Sequence, residues 1–230
     1  MPENIPANNT PANNTSGSSI MLKAVNLTRK FDRKVIFENV NFELTPSSAT
    51  AITGRNGSGK STLIKIIANL LIQSSGELSL FDGGEKVKKE NVFKYIGFVS
   101  PYLNLYDEFT GYENLKIISD IRGSGHGNID NVLKRVGLYN RRNDLLKIYS
   151  SGMKQRLKIA FAILHEPKIM LLDEPTSNLD LEGISVVDDI ANEYKRDRIL
   201  IIATNDAHER SLCGNEINLN ENIGKKKENV

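Results

Sequence analysis

Apolar residues along this chain follow two patterns, which predict two kinds of strand. Short runs near the start, the last with strict alternation, are typical of half-buried antiparallel strands. Those runs lie at 25–27, 35–37 and 40–44, and a further strand is predicted at 77–81. Continuous apolar runs are the pattern of strands buried on both faces of a parallel sheet. The continuous runs lie at 49–53, 95–99, 169–172 and 199–203.

Helical periodicity appears between the continuous runs. The apolar pattern from Leu63 to Leu71 predicts a helix directly after the run at 49–53. After Ser150, in the position of an N-cap, apolar residues recur at spacings of three and four until Pro167. These residues predict one buried helix face: Met153, Leu157, Ala160, Phe161 and Leu164.

A shorter helical pattern occupies the middle of the chain. It runs over 113–121, breaks at three closely spaced glycines and resumes over 131–136. We predict a small helical insertion over about 101–148, within an ordered domain that covers 20–220.

Both ends differ in composition from this domain. Residues 1–19 contain one charge, no aromatic residue and a five-residue repeat, 6–10 and 11–15. Such a segment buries too little apolar surface to offset its ordering entropy, so we predict a disordered Asn/Pro-rich tail. Residues 221–230 contain three consecutive lysines and are predicted to form a flexible basic tail.

Overall composition narrows the classes of function. Among 230 residues the net charge is only +2, so the overall charge does not indicate nucleic acid as a partner. The single cysteine, Cys213, excludes an intramolecular disulfide, fits a reducing compartment and is expected to be an inert, partly buried thiol. No apolar run reaches the roughly 18 residues that span a bilayer, so a membrane role would need a partner protein.

A glycine-rich segment joins the run at 49–53 to the helix that follows it. Strand, glycine-rich turn and helix in this order form a phosphate-binding loop, because glycines let successive N–H groups point into one concavity. Lys60 is then expected to face solvent without ligand and to contact β- and γ-phosphates, while Ser61 binds Mg²⁺. The alternative is a glycine-rich turn with a chance match. The predicted nucleotide contacts are Gly54, Asn56, Gly57, Ser58, Gly59, Lys60, Ser61 and Thr62.

Polar residues follow three of the apolar runs: Thr53, Asp173-Glu174 and Thr204-Asn205. Ligands of open parallel sheets bind at the carboxyl ends of the strands, so we expect these side chains around one pocket. Asp173 can hold Mg²⁺, directly or through water. Glu174 can then orient and polarise an attacking water. Alternatively, the two carboxylates only cap the next helix.

Two further segments resemble motifs of ATP-binding cassette (ABC) proteins. The segment Leu171-Leu172-Asp173-Glu174-Pro175-Thr176-Ser177-Asn178-Leu179-Asp180 resembles the second nucleotide motif and D-loop of that family. Tyr149-Ser150-Ser151-Gly152-Met153 resembles its signature motif. The resemblance covers about 21–220 and implies an α/β fold: a P-loop sheet with flanking helices, an antiparallel β-subdomain and a small helical subdomain.

The resemblance also implies ligands and partners. ATP and Mg²⁺ would lie between the phosphate loop of one subunit and Ser150 and Gly152 of a second, in a homodimer or heterodimer of ATP-binding subunits. Phe31 would stack on adenine; its alternative is a core or turn aromatic. The helical insertion would touch integral membrane transporter subunits, which places the chain in the cytoplasm, peripheral to the inner face of the membrane.

Three departures from the family pattern concern catalysis. The signature keeps only Ser150 and Gly152, and Ser100-Pro101 stand where the family has glutamine. Asn205 replaces the family's switch histidine, and it can donate a hydrogen bond but cannot carry a proton. His208 is expected to face away from the site, and His126 and His165 to lie on the surface.

We predict an ATPase subunit that powers an ABC transporter through separate membrane subunits. Its compact length resembles small exporter-type subunits, heme-exporter ATPases among them. Two alternatives stay open: an ATP-gated dimerisation module with little turnover, and a soluble, non-transport ABC ATPase.

Overall fold

The computed structural model describes residues 20–32, 34–123 and 125–220. The two predicted tails, 1–19 and 221–230, lie outside the described residues. The strands are β1 (Ile20–Phe31), β2 (Lys34–Leu44), β3 (Ser48–Thr53), β4 (Ser75–Asp82), β5 (Glu85–Lys86), β6 (Ile96–Val99), β7 (Ile169–Asp173), β8 (Ile199–Ala203) and β9 (Asn215–Asn218). The α-helices are α1 (Lys60–Ile67), α2 (Gly111–Arg122), α3 (Ile129–Arg135), α4 (Ser151–Ile163), α5 (Leu181–Asp197) and α6 (Ala207–Ser211). Short 3₁₀ helices occupy Lys89–Lys94, Tyr139–Arg141 and Leu146–Ile148.

The antiparallel sheet has the order β2-β1-β4-β5. The two runs predicted at 35–37 and 40–44 are one continuous strand, β2, rather than two. Asn39 lies between them with a φ of 56°, and its N–H donates to Thr28 Oγ1 at 3.1 Å. A local irregularity therefore interrupts the side-chain alternation without ending the strand.

The parallel sheet has the order β6-β7-β8-β3-β9, and every neighbouring pair in it is parallel. The ends of β3, β7 and β8 consequently lie side by side at one edge, as the sequence predicted. This edge carries the candidate site.

Apolar side chains on the two faces of this sheet belong to separate clusters. Ile169, Leu171 and Ile201 face α1 and the antiparallel sheet. The residues between them, such as Met170 and Leu172, face α4, α5 and the helices of the insertion. Burial on both faces explains why β7 and β8 read as continuous apolar runs.

Helix α1 is shorter than the apolar pattern predicted. It ends at Ile67, because Asn69 adopts a left-handed conformation with a φ of 58°. The N–H groups of Leu70 and Leu71 then turn back to Lys65 O, at 2.8 and 3.2 Å. Leu70, which belongs to that apolar pattern, lies beyond the helix and is 65% exposed.

Helices α2 and α3 fall within the predicted insertion. Thr110 caps α2 reciprocally with Glu113, in the sequence arrangement that favours a helix start. The outer limits of the insertion and of the 20–220 domain remain predictions. No helix among the described residues is both long enough and apolar enough to cross a bilayer.

Candidate nucleotide-binding site

The loop between β3 and α1 is a glycine-dependent cradle. Gly54, Gly57 and Gly59 have φ values of 144°, 79° and 101°, a region that residues with a Cβ rarely adopt. At Gly59 a Cβ would also collide with the side chain of Ile36 on β2. Helix α1 begins directly after Gly59, so its N-terminal N–H groups are directed towards the loop.

Lys60 does not face solvent, and that expectation is wrong. The residue is 7% exposed, and its ammonium donates to Gly54 O across the loop at 3.0 Å. The carbonyl satisfies a charge that would otherwise be buried alone. A phosphate entering the cradle would compete with this carbonyl for the ammonium.

Ser61 and Asp173 meet beneath the loop although they are 112 residues apart. Ser61 Oγ donates to Asp173 Oδ1 at 3.0 Å. Asp173 is 1% exposed, and its Oδ2 is buried with no hydrogen-bond partner. Burial raises the pKa of the Asp173 carboxyl, and Glu174 adds to the rise against the lowering effects of Ser61, Lys65 and Lys60. One oxygen of this buried carboxylate therefore has no hydrogen-bond donor or cation in contact with it among the described residues.

A hydroxyl beside an unsatisfied carboxylate fits Mg²⁺, which prefers oxygen ligands. The described residues contain no group of three or more His, Cys, Asp or Glu that could hold a metal by themselves. Magnesium sites of the kind seen with nucleotides use one or two protein oxygens and complete the shell with phosphates and water. Ser61 and Asp173 match that kind of site.

Glu174 reaches the same cavity from the end of β7. Its N–H donates to Ala203 O of β8 at 3.0 Å, and its φ is 48°, a left-handed conformation uncommon for glutamate. The backbone is thus fixed between two strand ends while the side chain is exposed. Glu174 lines a cavity of about 340 Å³ together with loop and helix residues Asn56, Gly57, Gly59, Lys60, Ser61 and Thr62.

Asn205 contacts the phosphate loop directly. Its Nδ2 donates to Asn56 Oδ1 at 2.8 Å. The residue before it, Thr204, is buried and accepts from the Asp206 N–H at 2.8 Å, which fixes the turn after β8. The two strand ends and the loop therefore converge as the sequence predicted.

Phe31 lies apart from this cavity. It is the last residue of β1, 44% exposed, and Arg29 covers one ring face with its guanidinium 4.1 Å from the centroid. Phe31 does not line the phosphate cavity, whereas Ile36 of β2 does. Adenine stacking on Phe31 remains a prediction.

Ser150 caps α4, accepting from the Met153 N–H at 3.2 Å. The residue is exposed and does not line the phosphate cavity of its own chain. Gly152 lies against the D-loop segment, where a Cβ would be 3.4 Å from Asn178 O. Within one chain, the signature-like segment and the phosphate loop therefore form separate surfaces.

The histidines lie outside the cavity, but one expectation about them is wrong. His208 points to Asp188 at 2.9 Å, away from the site, and His126 is exposed. His165 is only partly exposed, with Nε2 3.1 Å from Ile96 O, so it is not the fully exposed surface residue that the sequence predicted. Cys213 is partly buried as expected, and burial raises the pKa of its thiol to about 11.

Tyr102 lines the phosphate cavity, and the sequence reasoning missed it. The sequence could have indicated this residue, because Tyr102 is an aromatic residue three positions after the apolar run at 95–99. The end of that run lies at the same edge of the sheet as the other site residues.

Comparison with known proteins finds one matching family model and several similar proteins. The family model described as ABC transporter matches residues 37–177. The lantibiotic transport ATP-binding protein SrtF of Streptococcus pyogenes is 35% identical over 182 residues, 79% of this chain and 78% of that protein. The uncharacterized ABC transporter ATP-binding protein YybJ of Bacillus subtilis is 33% identical over 87% of this chain and 93% of its own length. The solved "Structure of ATP binding subunit of ABC transporter" superposes with a TM-score of 0.77 at 26% identity, covering 86% of this chain and 85% of that one.

Proposed function

This chain belongs to the ABC transporter family as an ATP-binding subunit, an ATPase coupled to transport. From that premise we propose which residues bind the nucleotide and which act in its hydrolysis. The observation that carries the proposal is the Ser61–Asp173 contact beneath the glycine loop, with Asp173 Oδ2 left unpartnered. This pair supports a nucleotide·Mg²⁺ complex held at the β3, β7 and β8 ends.

In this proposal the loop N–H groups and the Lys60 ammonium hold the β- and γ-phosphates. Charge-assisted hydrogen bonds of this kind are roughly twice as strong as neutral ones. Lys60 leaves Gly54 O when phosphate oxygens arrive. Ser61 and Asp173 would hold Mg²⁺, which supplies charge neutralisation on the phosphate oxygens.

Glu174 acts on the attacking water. Its carboxylate enters the cavity beside the loop, and its backbone is held by the bond to Ala203 O, so the side chain can be aimed at a fixed point. A positioned base is a standard means of activating water. Asn205 offers an amide N–H₂ to the terminal phosphate, once it exchanges its bond to Asn56 for one to the ligand.

The signature-like segment is proposed to serve a second subunit. Ser150 lies at the start of α4, exposed and outside its own phosphate cavity. A cap hydroxyl and the N–H groups of a helix N-terminus favour an anion. A head-to-tail dimer would bring them to the γ-phosphate on the partner, and Phe31 would stack on adenine in the same complex.

Transport requires separate integral membrane subunits, which we propose as the partners of the helical insertion, at the inner face of the membrane. SrtF is named for lantibiotic transport. We propose a lantibiotic-type cargo on that similarity; the heme-exporter-like subgroup stays a prediction. Producing the chain with its membrane partner should change a host's lantibiotic susceptibility, and Glu174→Gln should abolish the change. Equal susceptibility with either form would contradict this cargo.

The nucleotide site is tested by Lys60→Met and Asp173→Asn, each compared with Lys23→Met on the far sheet. Lys60→Met keeps the buried stem and removes the charge, so the Kd for ATP should rise by at least about 10-fold. Asp173→Asn should still bind ATP but lose the enhancement by Mg²⁺. Circular dichroism checks the fold, because Lys60 also bonds within its own loop. Unchanged ATP binding in Lys60→Met would refute the phosphate-loop assignment.

A further inference from the structure

The turn after β6 offers few free polar groups. Ser100 is 1% exposed, and its Oγ accepts from the Tyr102 N–H at 3.3 Å, so it closes the turn. Pro101 has no N–H to donate. Lys158 of α4 donates to Pro101 O at 3.0 Å and so links the turn to α4. Neither of the two residues at the position of the family's glutamine lines the phosphate cavity: the Ser100 hydroxyl is buried away from it, and the Pro101 side chain has no donor.

Tyr102 is the residue of this turn that faces the site. Its side chain lines the phosphate cavity with Lys60, Ser61 and Glu174. The Lys65 ammonium, one helical turn beyond Ser61 on α1, lies 4.8 Å from the centroid of the tyrosine ring. This cation–π contact holds the ring at the mouth of the cavity, where the residue is 72% exposed.

Tyr102 also lines a second cavity, of about 360 Å³, between the parallel sheet and the helical insertion. Phe93, Phe98 and Phe161 form much of its apolar wall, and Arg122 also lines it. Among the described residues that line these two cavities, Tyr102 alone is common to both. A shift of its ring would therefore change both spaces together.

We infer that Tyr102 contacts the terminal phosphate of bound ATP through its hydroxyl and thereby senses which nucleotide is present. This inference rests on the proposed nucleotide site. A phenol can donate to a phosphate oxygen, and with ADP that oxygen is absent. The hydroxyl takes over the contact that Ser100 and Pro101 cannot make, and the ring position differs between the ATP and ADP states.

The decisive variant is Tyr102→Phe, which removes one oxygen and keeps the ring under Lys65. The Kd for ATP·Mg²⁺ should rise about 10-fold, the scale of a hydrogen bond to a charged group, while the Kd for ADP stays unchanged. Tyr106→Phe is the matched control, since Tyr106 is an exposed tyrosine of the same loop and does not line the phosphate cavity. An ATP-to-ADP affinity ratio equal to that of wild type would overturn the inference.

A second measurement follows the ring itself. The chain contains no tryptophan, so Tyr102→Trp introduces a single fluorescent reporter. Its emission should change when ATP·Mg²⁺ saturates the variant, and should respond differently to ADP. Identical emission in both states would also overturn the inference. If wild type binds no ATP at all, the proposed nucleotide site fails instead, so the two failures are distinguishable.

Discussion

At the scale of single residues, Glu174 and Asn205 separate an ATPase from an ATP-gated binding module. Positioned general-base catalysis contributes about 10²- to 10⁴-fold, whereas an asparagine offers one hydrogen bond. Glu174→Gln should therefore remove most turnover and trap an ATP-bound dimer, because it keeps the shape of the base and removes its basicity. Asn205→Ala should cost only about 10- to 100-fold. Phosphate release at saturating ATP measures both.

Asn56→Ala is the control for the second variant, since Asn205 Nδ2 donates to Asn56 Oδ1. If that bond only fixes the loop, both asparagine variants should lose the same activity. A larger loss in Asn205→Ala assigns the amide to the phosphate. Wild-type turnover no higher than that of Glu174→Gln would contradict the ATPase assignment and favour the binding module.

At the scale of elements, His165, which joins the end of α4 to β6, should make the stability of the fold depend on pH. Burial, with the charge of Arg122, lowers the pKa of His165 from 6.5 to about 4, against the opposing effect of Ile96 O. The unfolded chain binds this proton as pH falls through 6.5, while the folded chain resists until about pH 4. Stability is therefore lost over that window as pH falls.

We expect His165→Gln, which does not titrate, to lose about 1 kcal/mol less unfolding free energy than wild type between pH 7 and pH 5. Urea unfolding at the two pH values gives the difference. His126→Gln, the same substitution at an exposed position beside Asp120, is the control for the change of side chain. Parallel losses in wild type and His165→Gln would show that the histidine does not govern this window.

At the scale of the whole molecule, the proposed dimer depends on two surfaces that one chain cannot bring together. Ser150→Asp should abolish ATP-induced dimerisation, because a carboxylate would face the partner's γ-phosphate. Aspartate caps helices about as well as serine, so α4 should remain folded and the monomer should bind ATP normally. Sedimentation of the Glu174→Gln form, with and without ATP, measures the change.

Thr110→Asp is the matched control, since it makes the same kind of change at the N-cap of α2. It should leave dimerisation intact. If Ser150→Asp instead weakens ATP binding by the monomer, Ser150 belongs to its own chain's cavity. A dimer that persists in Ser150→Asp would remove the signature-like segment from the interface.

The sequence by itself determined most of the strands, the positions of helices α1 to α4 and each contiguous part of the site, but it did not predict β5, β9, α5 or α6. The glycine loop, the Asp173-Glu174 pair and the Ser150 cap all depend on neighbours within a few residues, so local pattern and backbone chemistry were enough to find them. Period and length also separated the antiparallel strands from the buried parallel ones. Local irregularities were harder: Asn39 hid the continuity of β2, and Asn69 ended α1 before Leu70.

The sequence predicted that the strand ends share one edge, and only the tertiary structure decided which side chains are in contact there. Packing of β3 beside β8 and of β8 beside β7 brings Ser61 to Asp173 and Asn205 to Asn56, across 112 and 149 residues. It also turns Lys60 inward to Gly54 O, partly buries His165 against Ile96 O and places Tyr102 between two cavities. These outcomes depend on which side chains share a space after folding, and short-range periodicity carries no information about that.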